Sequence, residues 1–185
     1  MILLEIEPLD LGQDVRAVGL NLMDGDREPA RGEGAARVWS LVLPAIAAKD
    51  PWALDFFSHL ERVREFCDSR QLEYREASKR SLVIATPQSE ALLELFKRFE
   101  AETFGLRAGS RLTGGDSALE NELGRQGVDA YHSAYHGYSF CAVCDFENGS
   151  VTLLSDSLWA SEVVRRTRPA VNGIEIDVRL VTRIS

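Results

Sequence analysis

The stretch Tyr131–Leu154, which reads YHSAYHGYSFCAVCDFENGSVTLL, decides the fold because it contains the clearest β-hairpin pattern in the chain. Its segment Tyr138–Phe146 is rich in aromatic and β-favouring side chains. The dipeptide Asn148-Gly149 follows, and these two residue types accept the backbone angles of a tight hairpin turn. Val151–Leu154 then has the composition of a returning strand. The pattern predicts an antiparallel hairpin at the centre of a sheet.

Side chains alternate between the two faces of the first strand of this hairpin. One face carries Phe140, Ala142, Cys144 and Phe146, and the other carries Cys141, Val143 and Asp145. Both faces are largely apolar, which predicts a central strand that is covered on both sides.

The clearest alternation in the chain lies at residues 174–184. The apolar positions on one face are Ile174, Ile176, Val178, Leu180 and Ile184. The positions between them are mostly charged, which predicts a strand that closes the sheet with one side in water. Asn172-Gly173, just before this strand, is a second hairpin signal.

Helical spacing of apolar residues, together with capping residues, predicts helices outside the hairpin. The predicted helices cover residues 51–68, 87–104 and 117–135. A further helix is predicted over residues 35–49, although Pro44 should kink or restart it, and Val38–Leu43 also fits a buried strand. Residues 160–168 fit either a strand or a short helix. Short strands are predicted at residues 2–6, 15–23, 72–75 and 82–85.

These elements predict a single α+β domain over residues 1–185. A mainly antiparallel sheet, with the hairpin at 138–154 in its centre and the strand at 174–184 closing it, would be packed by three to four helices. Polar, glycine-rich stretches near residues 24–34 and 105–116 are expected to be loops.

Composition excludes several classes of function. Of the 185 residues, 45% are hydrophobic, and no apolar run approaches the length of a membrane span. The formal net charge of −8 disfavours nucleic-acid binding, which usually needs a basic footprint, and it is compatible either with a protein partner that has a basic surface or with solubility alone. Three cysteines without a disulfide framework, and a start without a basic leader, predict a soluble cytoplasmic protein. The oligomeric state does not follow from these features.

Four residues of metal-ligating type lie close together in the central stretch: His132, His136, Cys141 and Cys144. The histidines are four apart, which places them on one face of a helix, and the cysteines have the spacing of a zinc-ligand pair. In a regular strand, however, residues three apart point to opposite faces, so both thiolates would need a bulge to meet one ion. Two core cysteines and two histidines at a helix end are the simpler interpretation. Zinc is the only candidate cofactor, and none is predicted outright.

Five arginines near the C-terminus form a second candidate site: Arg165, Arg166, Arg168, Arg179 and Arg183. If the segment before Asn172 pairs with the last strand, their guanidinium groups form a patch suited to the carboxylates or phosphates of a partner. The alternative is a solvated surface of mixed charge, in which Glu162, Glu175 and Asp177 pair with these arginines.

Residues 105–115, GLRAGSRLTGG, raise a further anion-binding hypothesis. Backbone amides of the glycines, together with Arg107 and Arg111, suit a phosphate group. No Lys-Ser or Lys-Thr pair follows, and Asp116 lies where the phosphate would bind. An ordinary loop is therefore the favoured interpretation.

The sequence contains no nucleophile elbow, dinucleotide fingerprint or phosphate-binding loop. We therefore expect a protein-binding module, adaptor-like or inhibitor-like, rather than an enzyme. The acidic segment Asp24–Glu33 and the C-terminal arginines are its candidate contacts. One alternative is a zinc-dependent enzyme or zinc-stabilised domain that uses the histidine and cysteine cluster. Another is a small-ligand sensor, whose pocket would be lined by Tyr131, Tyr135, Tyr138 and Trp159.

Overall fold

The computed structural model describes residues 1–11, 16–47, 51–57, 60–84, 89–99, 102–109, 112, 138–155 and 157–182. These residues form nine strands and four α-helices. The strands are β1 (Ile2–Asp10), β2 (Arg16–Met23), β3 (Trp52–Phe56), β4 (Tyr74–Ser78), β5 (Ser81–Ile84), β6 (Thr103–Ala108), β7 (Phe140–Asp145), β8 (Ser150–Leu154) and β9 (Ile176–Leu180). The helices are α1 (Gly32–Ala47), α2 (Glu61–Ser69), α3 (Ser89–Phe99) and α4 (Ala160–Ala170).

The nine described strands form one sheet in the order β4-β5-β3-β6-β7-β8-β2-β1-β9. Neighbouring strands are antiparallel except β1 and β9, which run parallel. Strand β9 cannot reach its place beside β1 through a tight hairpin turn. The chain instead passes from β8 to β9 through a crossover connection that contains α4. The prediction of a mainly antiparallel α+β fold is confirmed.

One half of the sheet is a recognisable supersecondary unit. The chain runs β3-α2-β4-β5-α3-β6, and these four strands lie in the order β4-β5-β3-β6 with antiparallel pairing throughout. This connectivity is that of the split β-α-β, or ferredoxin-like, motif. Its two helices pack against each other through Phe66 and Phe99. The motif alone does not indicate a function, because many unrelated activities use it.

The main core lies between the sheet and its helices. Alternate residues of the strands, such as Leu20 of β2 and Leu106 of β6, form one buried cluster with side chains of all four described helices. At the tip of the central hairpin, the ring of Phe146 lies 5.8 Å from Trp39 of α1 and 5.1 Å from Phe96 of α3, measured between centroids. The hairpin therefore anchors two helices.

The predicted central hairpin is present. β7 and β8 pair antiparallel, and a short 3-10 turn at Phe146–Asn148 joins them. Gly149 then adopts a left-handed conformation with φ of +65°. A Cβ atom on Gly149 would collide with the Leu22 carbonyl oxygen of β2. Glycine is required here both for the backbone angle and for the close approach of β2.

The predicted helix over residues 51–68 is wrong in its first half. Trp52–Phe56 is strand β3, and the helix begins only at Glu61. All five residues of β3 are buried, so the segment shows no alternation of polar and apolar side chains. Pro51 suits the first turn of a helix, but it is equally compatible with the start of a strand.

The predicted helix over residues 87–104 is too long. α3 ends at Phe99, and Thr103–Ala108 is strand β6. The loop predicted near residues 105–116 is likewise wrong for residues 105–108. Pairing of β6 with β3 on one side and β7 on the other overrides the low strand propensity of glycine.

The two stretches for which the sequence allows either a helix or a strand are both helical. Val38–Leu43 lies within α1, which continues through Pro44. Residues 160–168 lie within α4, so Asn172-Gly173 forms the turn from a helix into β9 and not a hairpin. Tertiary packing of the apolar sides of α1 and α4 against the sheet decides these cases.

The closing strand is shorter than predicted. β9 covers Ile176–Leu180 instead of residues 174–184, and it lies at the edge of the sheet beside β1. Val178 is buried in the core and Arg179 is exposed, as the alternation predicts. Leu180, which the alternation places on the inward face, is instead 45% exposed at the end of this edge strand. The predicted helix over residues 117–135 lies outside the described residues.

Candidate functional site

The two cysteines of the predicted zinc cluster lie on opposite faces of β7. Cys144 belongs to the core beneath the helices, whereas Cys141 faces the other side of the sheet, opposite Arg107 of β6. Burial raises the pKa of both thiols well above the ordinary value of a thiol. His132 and His136 lie outside the described residues, so the zinc hypothesis stays a prediction.

Within the part of the chain that the structure describes, no group of three or more histidine, cysteine, aspartate or glutamate residues is arranged to hold a metal ion. The third cysteine, Cys67, lies in the core on α2, and burial raises the pKa of its thiol to about 11. The described thiols are therefore neutral at physiological pH.

The four described C-terminal arginines are divided between helix α4 and strand β9, so they do not share a strand pair. Arg165 Nε donates to Glu162 Oε2 at 2.6 Å, and Arg166 Nε donates to Glu162 Oε1 at 2.7 Å. These hydrogen bonds hold the pKa of Glu162 at about 2. Arg166 Nη1 also donates to the Ile46 carbonyl oxygen of α1 at 2.8 Å. The two arginines stabilise α4 and its contact with α1.

Arg168 and Arg179 also bind within the protein. Arg168 Nη2 lies 3.4 Å from the Val178 carbonyl oxygen of β9, and Arg179 pairs with Asp177 at 2.6 Å. The contact from Arg168 occupies a backbone carbonyl of an edge strand, which lessens the exposure of that edge. Arg183 lies outside the described residues. The contacts fit the mixed-charge alternative, and the anion-binding patch stays a prediction.

Arg107, a member of the disfavoured anion-binding hypothesis for residues 105–115, is buried within the sheet. It lies on β6, and its side chain is 0% exposed. Its guanidinium donates twice to Asp55 of β3, from Nε to Oδ2 and from Nη2 to Oδ1, each at 2.9 Å. The phosphate-loop hypothesis is therefore wrong for Arg107, and Arg111 lies outside the described residues.

Two hydroxyl groups also belong to this buried network. Arg107 Nη1 donates to Tyr138 Oη at 2.9 Å, and the guanidinium carbon lies 5.4 Å from the centroid of the Tyr138 ring. Ser81 of β5 donates its hydroxyl proton to Asp55. A buried ion pair needs such additional hydrogen bonds to offset the loss of solvation. Because both charged side chains are at most 1% exposed, the network joins β3, β5 and β6 but is not accessible to a ligand.

The aromatic residues proposed to line a ligand pocket have different environments. Tyr138 is bonded into the buried arginine network, whereas Trp159 is 59% exposed at the residue that precedes α4. Tyr131 and Tyr135 lie outside the described residues. The small-ligand hypothesis therefore stays a prediction.

The acidic segment Asp24–Glu33 divides between a turn and the start of α1. Asp24 Oδ1 accepts a hydrogen bond from the Asp26 amide at 2.9 Å, which shapes an exposed turn. Glu33 pairs with Lys97 of α3 at 2.6 Å, and this contact lowers the pKa of the Glu33 carboxyl. The acids at the two ends of the segment thus have structural roles.

A surface that the sequence analysis did not identify lies on α2 and α3. We call it the arginine–phenylalanine surface, and its members are Arg62, Phe66, Arg70, Arg98 and Phe99. The two rings lie 6.0 Å apart and nearly perpendicular, at 78°. Both phenylalanines are at most 3% exposed, so their rings form a rigid base for the arginines.

Three guanidinium groups lie over these rings. Arg62 is 5.8 Å from the centroid of Phe99, and Arg70 and Arg98 are each 5.9 Å from the centroid of Phe66. Stacking on an aromatic ring orients the planar guanidinium while its N–H groups remain able to bind a further partner. The spacing of four residues from Arg62 to Phe66 and again to Arg70 places all three on one side of α2.

The three arginines differ in their ion pairs. Arg62 pairs with Glu102 at 3.1 Å, and Arg70 pairs with Glu94 at 3.4 Å. Arg98 is exposed, and none of the described carboxylates lies within 4.0 Å of it. Among the described members of the surface, Arg98 is therefore the cation with the least compensated charge.

Two surface pockets flank this surface, and Phe66 lines both. The smaller pocket, of about 250 Å³, is lined by Arg62, Glu65, Phe66, Ser69, Arg98 and Phe99. The larger pocket, of about 490 Å³, is lined by Phe66, Arg70, Leu72, Glu90, Ala91, Leu93 and Glu94. The lining of the smaller pocket has a net formal charge of +1, and that of the larger pocket has a net formal charge of −1.

Comparison with models of protein families, with curated proteins and with solved structures gives no match. None of the helices in the described ranges is long and apolar enough to cross a membrane. Function is therefore inferred from the geometry of the molecule alone.

Proposed function

We propose that this protein is a binding module, adaptor-like or inhibitor-like, that recognises another protein through the arginine–phenylalanine surface. The observation that carries the proposal is the stacking of exposed arginines on a buried aromatic pair. The side chains of Arg62 and Arg70 are 69% and 56% exposed, although their guanidinium groups are held over the rings. Arginine and aromatic residues are enriched among those that dominate the binding energy of protein interfaces.

The pockets on either side of Phe66 support the same function. Each is concave and lies at the surface, and each combines apolar carbon with charged groups. Interfaces commonly place an anchoring side chain of one partner in such a pocket of the other. A partner segment that lies across Phe66 would insert one side chain on each side of it.

The polar residues of the described core favour binding over catalysis. Ser81 and Asp55 are sealed within the Arg107 network, where no substrate reaches them. The three cysteines are free thiols whose burial raises their pKa. A cytoplasmic location, which preserves free thiols, belongs to this proposal.

Affinity capture from a lysate of the source cells, with matched variants as bait, tests the proposal. The baits are the native protein, the double variant Arg62→Glu/Arg98→Glu, and the control Arg37→Glu. Arg37 is a suitable control because it is an exposed arginine on a helix that lines a different pocket, between α1 and β9. We expect one protein to be retained in about equal amount by the native and control baits and to be lost from the double variant.

Circular dichroism of each bait verifies that it is folded, which exposed substitutions should not disturb. Equal retention by all three baits would contradict the proposed surface. Failure of the native bait to retain any protein above empty beads would contradict the proposed function itself.

A further inference from the structure

We propose that the smaller pocket receives the carboxylate of an aspartate or glutamate of the partner protein, held between Arg62 and Arg98. This inference rests on the proposed function and specifies the chemistry that the arginine–phenylalanine surface recognises. It depends on the charges, the hydrogen-bond donors and the aromatic rings that line that pocket.

The donors of the smaller pocket are guanidinium groups. Arg62 and Arg98 line it from α2 and α3, and each carries five N–H donors in a planar fork that matches a carboxylate. The contact between Arg62 and Glu102 uses one nitrogen, Nη1. Ser69 is not a competing donor, because its hydroxyl donates to the Phe66 carbonyl oxygen at 2.7 Å.

The net charge of the pocket favours a single negative charge. Two arginines and one glutamate line it, and Glu102 outside the lining already pairs with Arg62. Arg98 is therefore the cation that a monoanion would neutralise, whereas a phosphate group of nearly two negative charges would overcompensate it. Glu65 would also repel a dianion more strongly than a carboxylate. An acidic side chain therefore fits the pocket better than a phosphorylated one.

The rings of Phe66 and Phe99 orient the two arginines of the pocket. The guanidinium groups of Arg62 and Arg98 lie over the rings of Phe99 and Phe66. This packing reduces the side-chain freedom that the two arginines lose when a partner binds. The overall charge of −8 does not prevent carboxylate binding, because screening limits each charge to a range of roughly 8 Å at physiological ionic strength.

Nuclear magnetic resonance of the full-length, nitrogen-15-labelled protein tests the inference with defined probes. The first probe is glutamate capped as N-acetyl and N-methylamide, so that its side chain carries the only charge. The matched control probe is the identically capped glutamine, and inorganic phosphate is the third probe. The Nε–Hε signals of the arginines report binding at individual guanidinium groups.

We expect the glutamate probe to shift the signals of Arg62 and Arg98 but not that of Arg37, and the glutamine probe to shift none of the three. In the variant Arg98→Gln, the shift of the Arg62 signal per unit concentration of glutamate probe, measured at the start of the titration, should fall about tenfold. The reason is that the carboxylate loses a charged hydrogen-bonding partner. The variant Arg37→Gln should titrate like the native protein.

Equal shifts at Arg37 and Arg98, or no difference between glutamate and glutamine, would overturn the carboxylate assignment. Tighter binding of phosphate than of glutamate would also overturn it and would favour a phosphorylated partner. In either case, loss of capture by Arg62→Glu/Arg98→Glu would still support the proposed function. Glutamate binding without any captured protein would instead leave the pocket chemistry in place and contradict the proposed function.

Discussion

At the scale of single residues, the stability of the buried pair Asp55–Arg107 depends on the side chains that surround it. Both side chains are at most 1% exposed, and their charges are compensated by each other and by the hydroxyl groups of Ser81 and Tyr138. Removing one member of a buried pair removes the bidentate counter-charge of the other in a poorly solvating environment.

The substitution Asp55→Asn should therefore destabilise the protein by about 3–5 kcal/mol. Urea unfolding followed by circular dichroism measures the change in the free energy of unfolding. The control Asp177→Asn removes the exposed pair with Arg179, which is 52% exposed, and should change that free energy by about 1 kcal/mol or less. Similar effects of the two substitutions would show that the buried network does not stabilise the fold.

Sequence alone could not identify this network, because its members are distant along the chain. Asp55 and Arg107 are 52 residues apart, and each lies in a segment whose local pattern suggested a different structure. The arginine–phenylalanine surface was partly accessible to sequence reasoning. Arg62 and Phe66 are four residues apart on the predicted helix over residues 51–68, but Arg70 lies beyond that helix, and the contribution of Arg98 depends on how α3 packs against α2.

At the scale of secondary-structure elements, the central hairpin joins the two halves of the sheet. β7 pairs with β6 of the ferredoxin-like unit, and β8 pairs with β2 of the remaining strands. The tight approach of the hairpin to β2 at Gly149 makes this junction intolerant of any side chain at that position.

The substitution Gly149→Ala should lower the free energy of unfolding by about 2 kcal/mol or more, because alanine is strained at a positive φ and its Cβ would collide with the Leu22 carbonyl oxygen. Gly32→Ala is the matched control, since Gly32 has a φ of +71° and a Cβ added there would meet no described atom within 4 Å beyond its chain neighbours. The control should cost only about 1–2 kcal/mol, also measured by urea unfolding. Equal costs for both would argue against a steric role for Gly149.

Elements with strong local signals are predictable from the sequence, and elements defined by long-range pairing are not. The hairpin is recognisable because Asn148-Gly149 marks its turn, whereas the middle of α1 is ambiguous because Val38–Leu43 also fits a buried strand. β3 and β6 escape prediction because strands buried on both faces have no period that distinguishes them from a helix. Only their pairing with neighbouring strands in the sheet shows that these two segments are strands.

At the scale of the whole molecule, the helical layer separates two arginine-rich regions. α1 contacts α3 on one side and α4 on the other, and α3 in turn contacts α2. The arginine–phenylalanine surface therefore lies towards the α2 end of the layer, and Arg165, Arg166 and Arg168 lie at the α4 end. The arginines of α4 hold parts of the fold together, whereas Arg98 keeps its charge uncompensated among the described residues.

Amide hydrogen exchange of the native protein, alone and with its captured partner, tests most directly whether the arginine–phenylalanine surface is the binding surface. We predict that the partner slows exchange within Glu61–Ser69 and Ser89–Phe99, because bound surfaces open to solvent less often. Exchange in the exposed turn at residues 24–28 and in α4 should stay unchanged. Slower exchange confined to that turn, or to α4 and β9, would contradict the account and assign the interface to one of the other charged regions.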